Sequence, residues 1–492
     1  MPIDLSANRT VCQSTCLPID PVCQSICEIA PIGQQLRLRG PRNRRNPTRP
    51  LTYRQQPPTV SSKSICMSDE RQRGRPLGEL IMTDKLSTVT RRGVLVGAAG
   101  LAAGTIVGPA TAAAHHQKPV HRRDPDHHRK HHHGTSPLWE VAWKNGIVYA
   151  GSISTWMYAD DPDYAALFRR EVAMLWPEDD FLWYHLRPSP TSGLDFTYPD
   201  MIVEFAEANR QLIIGAPGLV WDEGFGDGWT DDDLWGMSAS DAETVLYSTV
   251  EAMVHRYRGR VAAWIVCNEV TDPEGDHGLR TDVPWYNTIG PSYVAEAFHR
   301  AHQQDPHAML LINEFGLDTV NQYGDEPVPR QRALLEVIDT LLADRVPLHG
   351  LGIEAHLLAT DFADRFHRKE FRRFLREVAD RGLKILITEM DVLDDGLPAA
   401  IGPRDRGVAD VYQRFLDTVL EEKAVISVTQ YGLSDRWTEE NDDNPRDDGV
   451  LRRPCPYDDD LQPKPAYTAI RNALARAPHR RPEWAPPRPL GR

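Results

Sequence analysis

The chain has 492 residues, of which 41% are hydrophobic and 26% are charged, a composition typical of a globular protein. Acidic side chains outnumber basic ones by 70 to 56, which gives a formal net charge of −14. The acidic excess lies after residue 135, because the first 135 residues are basic overall. An acidic domain repels phosphate groups and anionic lipids, so the charge disfavours binding to nucleic acid or to a membrane surface and favours a neutral substrate.

The first predicted elements precede the acidic domain. Residues 1–81 form a Pro- and Arg-rich segment that we expect to be disordered. Residues 82–114 resemble a twin-arginine signal peptide, because an Arg-Arg pair precedes the apolar segment Val94–Val107 and small residues suited to cleavage follow it. A buried or anchoring helix is the alternative. The signal predicts secretion from a bacterial cytoplasm, and it indicates that translation starts at Met82, with a genuine N-terminal extension as the alternative.

A histidine-rich linker is predicted over residues 115–136. Its segment His115–His133 holds eight histidines among Lys, Arg, Asp and Pro. Short tracts of this kind can bind divalent metals, which leaves a metal-handling protein as one hypothesis. A solvated linker is the favoured interpretation, since the sequence offers neither partner ligands nor an ordered scaffold around the tract.

The domain from residue 137 to 478 alternates short apolar segments with amphipathic segments eight times. The predicted strands are Ile147–Ile153, Phe181–His185, Leu212–Ala216, Val261–Asn268, Met309–Asn313, Gly350–His356, Lys384–Glu389 and Ala424–Tyr431. The predicted helices are Tyr164–Leu175, Pro199–Ala208, Asp241–Arg258, Pro291–His302, Arg330–Asp344, Arg368–Arg381, Arg406–Leu420 and Lys464–Leu474. Eight strand–helix units predict an α/β protein with one closed (β/α)8 TIM barrel, followed by a Pro- and Arg-rich tail over residues 479–492.

Two further sequence features bear on this domain. A Gly-rich phosphate-binding loop follows none of the predicted strands, which disfavours a dinucleotide-binding fold. Of the seven cysteines, only Cys267 and Cys455 lie in the predicted barrel, and the sequence leaves open whether they are free or paired.

Two glutamates stand where predicted strands end. Glu269 follows the fourth strand, and Glu389 ends the seventh. Because active sites of such barrels lie at the C-terminal ends of the strands, and these two strands lie on opposite sides of the barrel, the two carboxylates should converge. Hydrolysis of a glycosidic bond requires such a pair: one protonates the leaving oxygen, and the other attacks the anomeric carbon or activates water. The sequence therefore predicts a glycosidase without a metal or another cofactor, and a solvated loop carboxylate is the alternative for each glutamate.

Between about residues 146 and 474 the chain resembles glycoside hydrolase family 10, the family of retaining endo-β-1,4-xylanases. The resemblance rests on Leu219–Trp221, Trp264–Glu269, Gly352–Leu357, Ile387–Asp391 and Pro456–Ile470, taken in this order along the chain. It implies a TIM-barrel O-glycosyl hydrolase that degrades a polysaccharide such as xylan. The expected partner is that polysaccharide alone, without nucleic acid or membrane, and the expected form is a monomer.

The resemblance also implies individual roles. Glu269 would be the general acid/base, and Glu389 would be the nucleophile that forms a glycosyl–enzyme intermediate. Asn268 would bind the 2-hydroxyl of the sugar, while His356 and Asp391 would keep Glu389 ionised and oriented. For His356 alone, a satisfied core histidine is the alternative.

Aromatic residues are frequent near the predicted strand ends, where sugar rings could stack on them. They are Trp183, Trp221, Trp229, Trp285, Tyr431 and Trp437. Trp221 and Trp437 are the foremost candidates for substrate contacts, and Trp183 and Tyr431 are further candidates. Several of these rings should belong to the hydrophobic core instead.

The chain departs from the family pattern at positions that normally bind sugar on the non-reducing side of the cleaved bond. At residues 178–183 the sequence EDDFLW replaces Glu-Asn-x-x-Lys-Trp, and at residues 217–222 PGLVWD replaces His-Thr-Leu-Val-Trp-His. Glu354 replaces a Gln, and Tyr431 replaces a Trp. Loss of one buried hydrogen-bond donor weakens binding by about 1–3 kcal/mol, so these departures favour an altered sugar specificity and leave the catalytic residues in place. An endo-xylanase is the leading hypothesis, with two alternatives: a glycosidase of the same mechanism that acts on another β-linked glycan, and a non-catalytic carbohydrate-binding barrel.

Overall fold

The computed structural model describes residues 136–321, 323–360 and 362–486. The predicted N-terminal segment, signal peptide and histidine tract (residues 1–81, 82–114 and 115–133) lie outside the described residues. Within the part of the chain that is described, no helix is long and apolar enough to cross a membrane.

Eight parallel strands form the centre of the described structure. They are Val148–Ser152 (β1), Met174–Trp176 (β2), Leu212–Gly215 (β3), Ala263–Asn268 (β4), Met309–Glu314 (β5), Gly350–Ile353 (β6), Lys384–Leu393 (β7) and Val425–Gln430 (β8). Each strand pairs with the next in sequence, and β8 pairs with both β7 and β1, which closes the sheet. The predicted (β/α)8 barrel is thus confirmed.

The strands are buried on both faces, because alternate side chains enter two different cores. One cluster, which fills the barrel interior, includes Val148, Ala150, Met174, Trp176, Ile214, Ile265, Leu311, Leu386 and Ile426. The strand residues between them, such as Tyr149, Leu175, Ile213, Trp264 and Ile312, belong to a larger cluster shared with the helices. Because both faces of each strand are buried, the strand sequences are continuous apolar runs rather than alternating apolar and polar residues.

Long helices cover the outside of the barrel, and shorter helices lie within its loops. They are Leu138–Trp143 (α1), Thr155–Asp160 (α2), Pro162–Glu171 (α3), Trp183–Leu186 (α4), Thr197–Ala208 (α5), Asp231–Trp235 (α6), Ala239–Arg256 (α7), Pro284–Ile289 (α8), Tyr293–Gln304 (α9), Pro327–Ala343 (α10), Phe362–Arg365 (α11), Arg368–Asp380 (α12), Ile401–Val419 (α13), Glu440–Asp443 (α14) and Pro465–Arg476 (α15), with a 3-10 turn at Asp435–Trp437. Local chemistry starts several of them: the Asp161 side chain accepts from the backbone N–H groups of Asp163 and Tyr164, 3.1 Å each, at the start of α3.

The prediction of the second strand was wrong. The strand is Met174–Trp176, whereas the predicted segment Phe181–His185 lies in a turn and in α4. The predicted helix Tyr164–Leu175 ends at Glu171 for the same reason. A fully buried strand of three residues has no period of its own, so its apolar residues continued the pattern of the preceding helix. The aromatic residues at 181–185 pack around the barrel instead, as in the stack of Phe181 on Trp264 with ring centroids 5.8 Å apart.

Two short extended segments lie outside the closed barrel. Thr271–Asp276 follows β4, and His356–Leu358 pairs in parallel with the C-terminal part of β7. The predicted sixth strand, Gly350–His356, is therefore interrupted: between the two extended parts Ala355 adopts a φ of 65°. This interruption matters for the site, because it sets His356 opposite Asp391 in the pairing register.

The N-terminal face of the barrel is covered by the segment 478–484. The Arg480 guanidinium donates to the backbone carbonyls of Leu420, at 2.7 Å, and of Glu422, at 2.8 Å, just before β8. Glu483 forms an ion pair of 2.9 Å with Lys384 at the start of β7. The packed chain therefore extends beyond residue 478, into the predicted tail. Among the described residues, both cysteines of the barrel are free and buried, which settles the pairing that the sequence left open.

Candidate active site

Polar residues lie in the C-terminal parts of the buried strands β4 to β7, or just after them, at the C-terminal face of the barrel. They are Asn268, Glu269, Asn313, Glu314, Glu354, His356, Glu389 and Asp391. Backbone hydrogen bonds continue from strand to strand at this level: the N–H of Glu269 donates to Asn313, that of Glu354 to Glu314, and that of Glu389 to Glu354, each at 3.0 Å. The parallel register therefore brings together the side chains that the sequence placed at separate strand ends.

The Asn313 side chain contacts three of these residues. Its Nδ2 lies 2.8 Å from Glu389 Oε1, 2.8 Å from Asn268 Oδ1 and 3.1 Å from Glu354 Oε1. Thr388 Oγ1 donates to Asn313 Oδ1 at 2.6 Å, and this hydrogen bond fixes which way the amide points. The amide thus joins Glu389 to Asn268.

Glu389 receives its second polar contact from His356. The imidazole Nε2 lies 3.4 Å from Glu389 Oε2, and Nδ1 lies 2.9 Å from Asp391 Oδ1. Burial lowers the pKa of His356, but the carboxylates of Asp391 and Glu389 outweigh this effect and hold the pKa well above its usual value. The ring is therefore an imidazolium at neutral pH, and both nitrogens donate to carboxylates.

Glu269 lies at the end of β4 in a left-handed conformation, with a φ of 52°. Asn268 Nδ2 donates to its Oε1 at 3.3 Å, and the Arg280 guanidinium donates to its backbone carbonyl at 3.0 Å. Burial, followed by the charges of Glu223 and Glu314, raises the pKa of Glu269 to about 8. Glu269 therefore keeps its proton at neutral pH, as a general acid must.

Asn313 and Glu314 were not among the site residues that the sequence predicted. Glu314 is fully buried, accepts from the Thr271 backbone N–H at 2.8 Å and lies 3.6 Å from the Arg330 guanidinium. Burial raises its pKa to about 7. The signal that identified Glu269 and Glu389, an acid directly after an apolar strand, was also present here, because an Asn-Glu pair ends the fifth strand.

Acidic residues follow β2 on the other side of the face. Asp179 Oδ2 accepts from the Tyr184 hydroxyl at 2.8 Å and from Trp156 Nε1 at 3.2 Å, and it lies 3.7 Å from His185 Nε2. Burial opposes ionisation of Asp179, but the hydrogen bonds from His185, Ser154 and Tyr184 outweigh it and lower the pKa of Asp179. Asp180 is fully buried and accepts from the Thr155 backbone N–H. Asp179 is therefore ionised where the family pattern has a neutral Asn.

Glu178 is the third acid of this loop. Its Oε1 accepts from the Ser152 hydroxyl at 2.5 Å. Burial holds the pKa of Glu178 well above its usual value, and the nearby charge of Glu439 adds to the effect. Burial holds the pKa of Tyr431 well above its usual value, and the nearby carboxyl groups of Glu178 and Glu389 add to the effect.

The predicted aromatic contacts divide into buried and accessible rings. Trp183 is 1% exposed, its Nε1 donates to the Leu219 carbonyl at 3.2 Å, and it packs against Trp229 and Trp285 with centroids 5.6 and 5.5 Å away. Trp229 and Trp285 are also buried. Protein atoms therefore already cover these three rings.

The remaining three aromatic rings are partly exposed. Tyr431 lies edge-on to His356 with ring centroids 5.3 Å apart, beside the nucleophile candidate. Trp437 lies 5.4 Å from Trp156, and its Nε1 is 3.3 Å from Asp161 Oδ2. Trp221, in the loop after β3, is also partly exposed. These positions leave ring surface accessible on both sides of the carboxylates.

Two groups of three among the described residues offer closely spaced ligand atoms: Glu354, His356 and Glu389, and also His356, Asp391 and Glu440. The oxygen and nitrogen atoms within each group lie within 4.8 Å of one another. His356 belongs to both groups, and its two nitrogens already donate to Asp391 and Glu389. Because an imidazolium supplies the positive charge between these carboxylates, we assign the residues to proton chemistry rather than to metal binding.

Comparison with known proteins gives a family and a set of relatives. The model of the family described as glycosyl hydrolase family 10 matches residues 138–473. Endo-1,4-beta-xylanase B of Thermotoga neapolitana is 28% identical over 333 residues, which cover 67% of this chain and 88% of that protein.

Solved structures match over the same region. Native xylanase 10B of Thermotoga maritima superimposes with a TM-score of 0.60 at 28% identity, covering 69% of this chain and 98% of that chain. Xylanase 10B of Thermotoga petrophila RKU-1, solved in complex with xylobiose, superimposes with a TM-score of 0.61 at 27% identity, covering 70% and 98%. The match extends over the barrel that carries the carboxylates.

Proposed function

The chain belongs to glycosyl hydrolase family 10, and from this membership we propose that it is a retaining endo-β-1,4-xylanase, with Glu389 as nucleophile and Glu269 as general acid/base. One observation carries the assignment of roles: Glu389 accepts from Asn313 and His356, whereas Glu269, with a pKa of about 8, holds its proton at neutral pH. Two carboxyl groups that differ in this way are suited to different steps of glycoside hydrolysis.

In the first step Glu389 attacks the anomeric carbon. Its oxygen forms a bond to that carbon while the bond to the leaving oxygen breaks, and Glu269 gives its proton to the leaving oxygen. The product is a covalent glycosyl ester on Glu389, with Glu269 ionised. The hydrogen bonds from Asn313 and His356 hold the attacking carboxylate in one orientation, so little reorganisation is needed.

In the second step the ionised Glu269 takes a proton from water. The resulting hydroxide equivalent attacks the anomeric carbon from the side that the leaving group vacated, and the bond to Glu389 breaks. Glu269 is protonated again and the configuration is retained. Asn268 lies between the two carboxyl groups, since its Oδ1 accepts from Asn313 and its Nδ2 donates to Glu269. It is therefore placed to bind the sugar hydroxyl next to the anomeric carbon.

The acidic loop after β2 supports a second candidate, a glycosidase of the same mechanism that acts on another β-linked glycan. Asp179 is an ionised acceptor where the family pattern has an amide, and Leu182 is a buried apolar residue where the pattern has a lysine. These changes remove hydrogen-bond donors for sugar hydroxyls and leave the carboxylates of the reaction in place.

A substrate panel tests both candidates. Purified protein is incubated with xylan, mixed-linkage glucan, cellulose, mannan and arabinan, release of reducing sugar is measured, and E389Q serves as the control. Xylan cleavage that is absent from the variant is the expected result. Cleavage of another glycan would retain the mechanism and reject the xylanase assignment, whereas inactivity on all five would favour the non-catalytic carbohydrate-binding barrel.

We also propose that the protein is secreted through the twin-arginine route, on the basis of the sequence of residues 82–114. The test fuses these residues to a reporter that is active only after export and replaces Arg91 and Arg92 by lysine. Export is expected to cease in the lysine variant and in a host without the twin-arginine translocase. Continued export in either case would reject the proposal.

A further inference from the structure

The amide of Asn313 faces more acceptors than it has hydrogen atoms. Its Nδ2 is within hydrogen-bond distance of oxygen atoms of Glu389, Asn268 and Glu354. An NH2 group carries two hydrogens, so it can serve two of these acceptors fully. Glu389 and Asn268 lie closer, at 2.8 Å each, than Glu354 at 3.1 Å. The Glu354 oxygen is therefore the one left with the weakest donor.

Glu354 and Glu389 also form a close pair of buried carboxyl groups. They are 4% and 7% exposed, and an oxygen of each lies within 4.8 Å of the other and of a His356 nitrogen. Two carboxylates at this distance in a buried site do not both ionise readily, because the two negative charges repel each other. Asn313 and His356 both donate to Glu389, so the negative charge is stabilised on Glu389.

We propose that Glu354 is a positioning residue that holds the proton of this pair, as a neutral carboxylic acid next to the nucleophile. The inference rests on the proposed function, in which Glu389 acts as the nucleophile. A neutral Glu354 leaves both hydrogens of Asn313 to Glu389 and Asn268, and it adds an O–H donor that a carboxylate lacks. It thereby keeps the nucleophile charged and in one orientation.

The titratable groups that face Glu354 come from each neighbouring strand end. They are Glu389 of β7, Glu269 after β4, Glu314 of β5 and His356 of its own segment. Of these only His356 is a cation, and both its nitrogens donate to other carboxylates. Burial, followed by the charges of Glu389 and Glu269, holds the pKa of Glu354 well above its usual value, in agreement with the geometry.

The proposal fixes the direction of a pH effect. Below its pKa Glu354 is neutral and the hydrogen bond from Asn313 to Glu389 is intact. As the pH rises through that pKa, the new anion repels Glu389 and competes for Asn313, so kcat/KM falls. The proton of Glu269 is also lost near pH 8. A substrate whose leaving group needs no protonation removes the contribution of Glu269 to the first step.

The first test detects the proton directly, without substrate. Infrared difference spectra of the full chain at pH 7 compare the wild type with E354Q, and E243Q provides a control at an exposed glutamate on α7. We expect E354Q to lose a carboxylic-acid C=O band, and E243Q to lose carboxylate bands. Loss of carboxylate bands in E354Q would overturn the proposal.

The second test measures kcat/KM against pH for an aryl β-xyloside or β-xylobioside with an activated leaving group. The wild type should lose activity on the alkaline side, E354D should keep this loss, and E354Q, whose amide is neutral at every pH, should lack it. An identical alkaline loss in E354Q and the wild type would reject the proposal. If the protein hydrolysed no glycoside, the proposed function would fail, and the infrared result would still decide whether Glu354 carries the proton.

Discussion

The side-chain amide of Asn313 connects Glu389 to Asn268, and Gly352 on the neighbouring strand leaves space for this amide. A Cβ atom at Gly352 on β6 would lie 2.1 Å from Asn313 Oδ1, far inside van der Waals contact. Thr388 donates to the same oxygen at 2.6 Å, and its Cγ2 lies 3.0 Å from the added Cβ atom, so a shift of the amide would disturb Thr388 as well. The position of Glu389 therefore depends on the absence of a side chain at residue 352.

We expect G352A to reduce kcat/KM by about 10- to 100-fold, because a clash of this kind costs about 1–3 kcal/mol and displaces the amide from Glu389. Kinetics on an aryl glycoside measure the effect, and circular dichroism checks that the variant folds. G193A is a suitable control, since nothing lies within 4 Å of a Cβ atom at that position. An unchanged kcat/KM in folded G352A would show that Glu389 does not depend on Asn313.

The two carboxyl groups should respond differently to removal. E389A should abolish turnover of every substrate, because no covalent intermediate can form without the nucleophile. E269A should reduce polysaccharide hydrolysis by about 10²- to 10⁴-fold, the usual contribution of a general acid, yet spare the first step with an activated aryl leaving group. Burst kinetics on aryl glycosides separate the two steps. Equal loss in both variants for all leaving groups would contradict the assigned roles.

For individual residues, the sequence predicted that Glu269, Glu389 and His356 lie at strand ends. An acid or a histidine after an apolar run is a pattern that the neighbouring residues alone reveal. The sequence could not predict the bridging role of Asn313, because that role depends on three strands in register and on the space at Gly352. The roles of the site residues stay predictions until variants are measured.

The strand–helix units show where local patterns are sufficient. Helices such as α7 and α12 have a long amphipathic period, and the sequence located both ends of each to within two residues. The strand β2 has three residues that are buried on both faces, so neither period nor length distinguished it from the end of α3. The corrected position of β2 also matters for the candidate site, because it places Glu178 and Asp179 just after a barrel strand.

The loop after β2 leads to a prediction about substrate specificity. Replacement of Asp179 by Asn should lower KM for xylo-oligosaccharides by about fivefold, with kcat little changed, because the amide keeps an acceptor for Tyr184 and adds one donor worth ~1 kcal/mol. Steady-state kinetics on xylo-oligosaccharides measure it. D160N, an exposed change at the end of α2, is the control. A higher KM in D179N would instead indicate that the substrate requires the carboxylate.

For the whole molecule, eight repeated units were enough to predict a closed barrel, since few other folds bury eight such strands. The covering of its N-terminal face was not predictable, because residues 478–484 have no period and their partners lie far away in the sequence. Gly146 illustrates this dependence: with a φ of 75°, it passes so close to the Arg480 carbonyl that a Cβ atom would lie 2.0 Å from that oxygen.

Arg480 should therefore contribute to the stability of the entire barrel. It is 5% exposed, and its guanidinium donates to three backbone carbonyls, those of Leu420 and Glu422 before β8 and that of Val425 at its start. R480A would remove a charged donor from each of these carbonyls, so we expect a loss of roughly 3 kcal/mol and a melting temperature lower by about 5 °C. Differential scanning calorimetry measures the change, and R481A, at an exposed neighbour, is the matched control. Equal melting temperatures for R480A and R481A would show that the segment lies on a barrel that is stable without it.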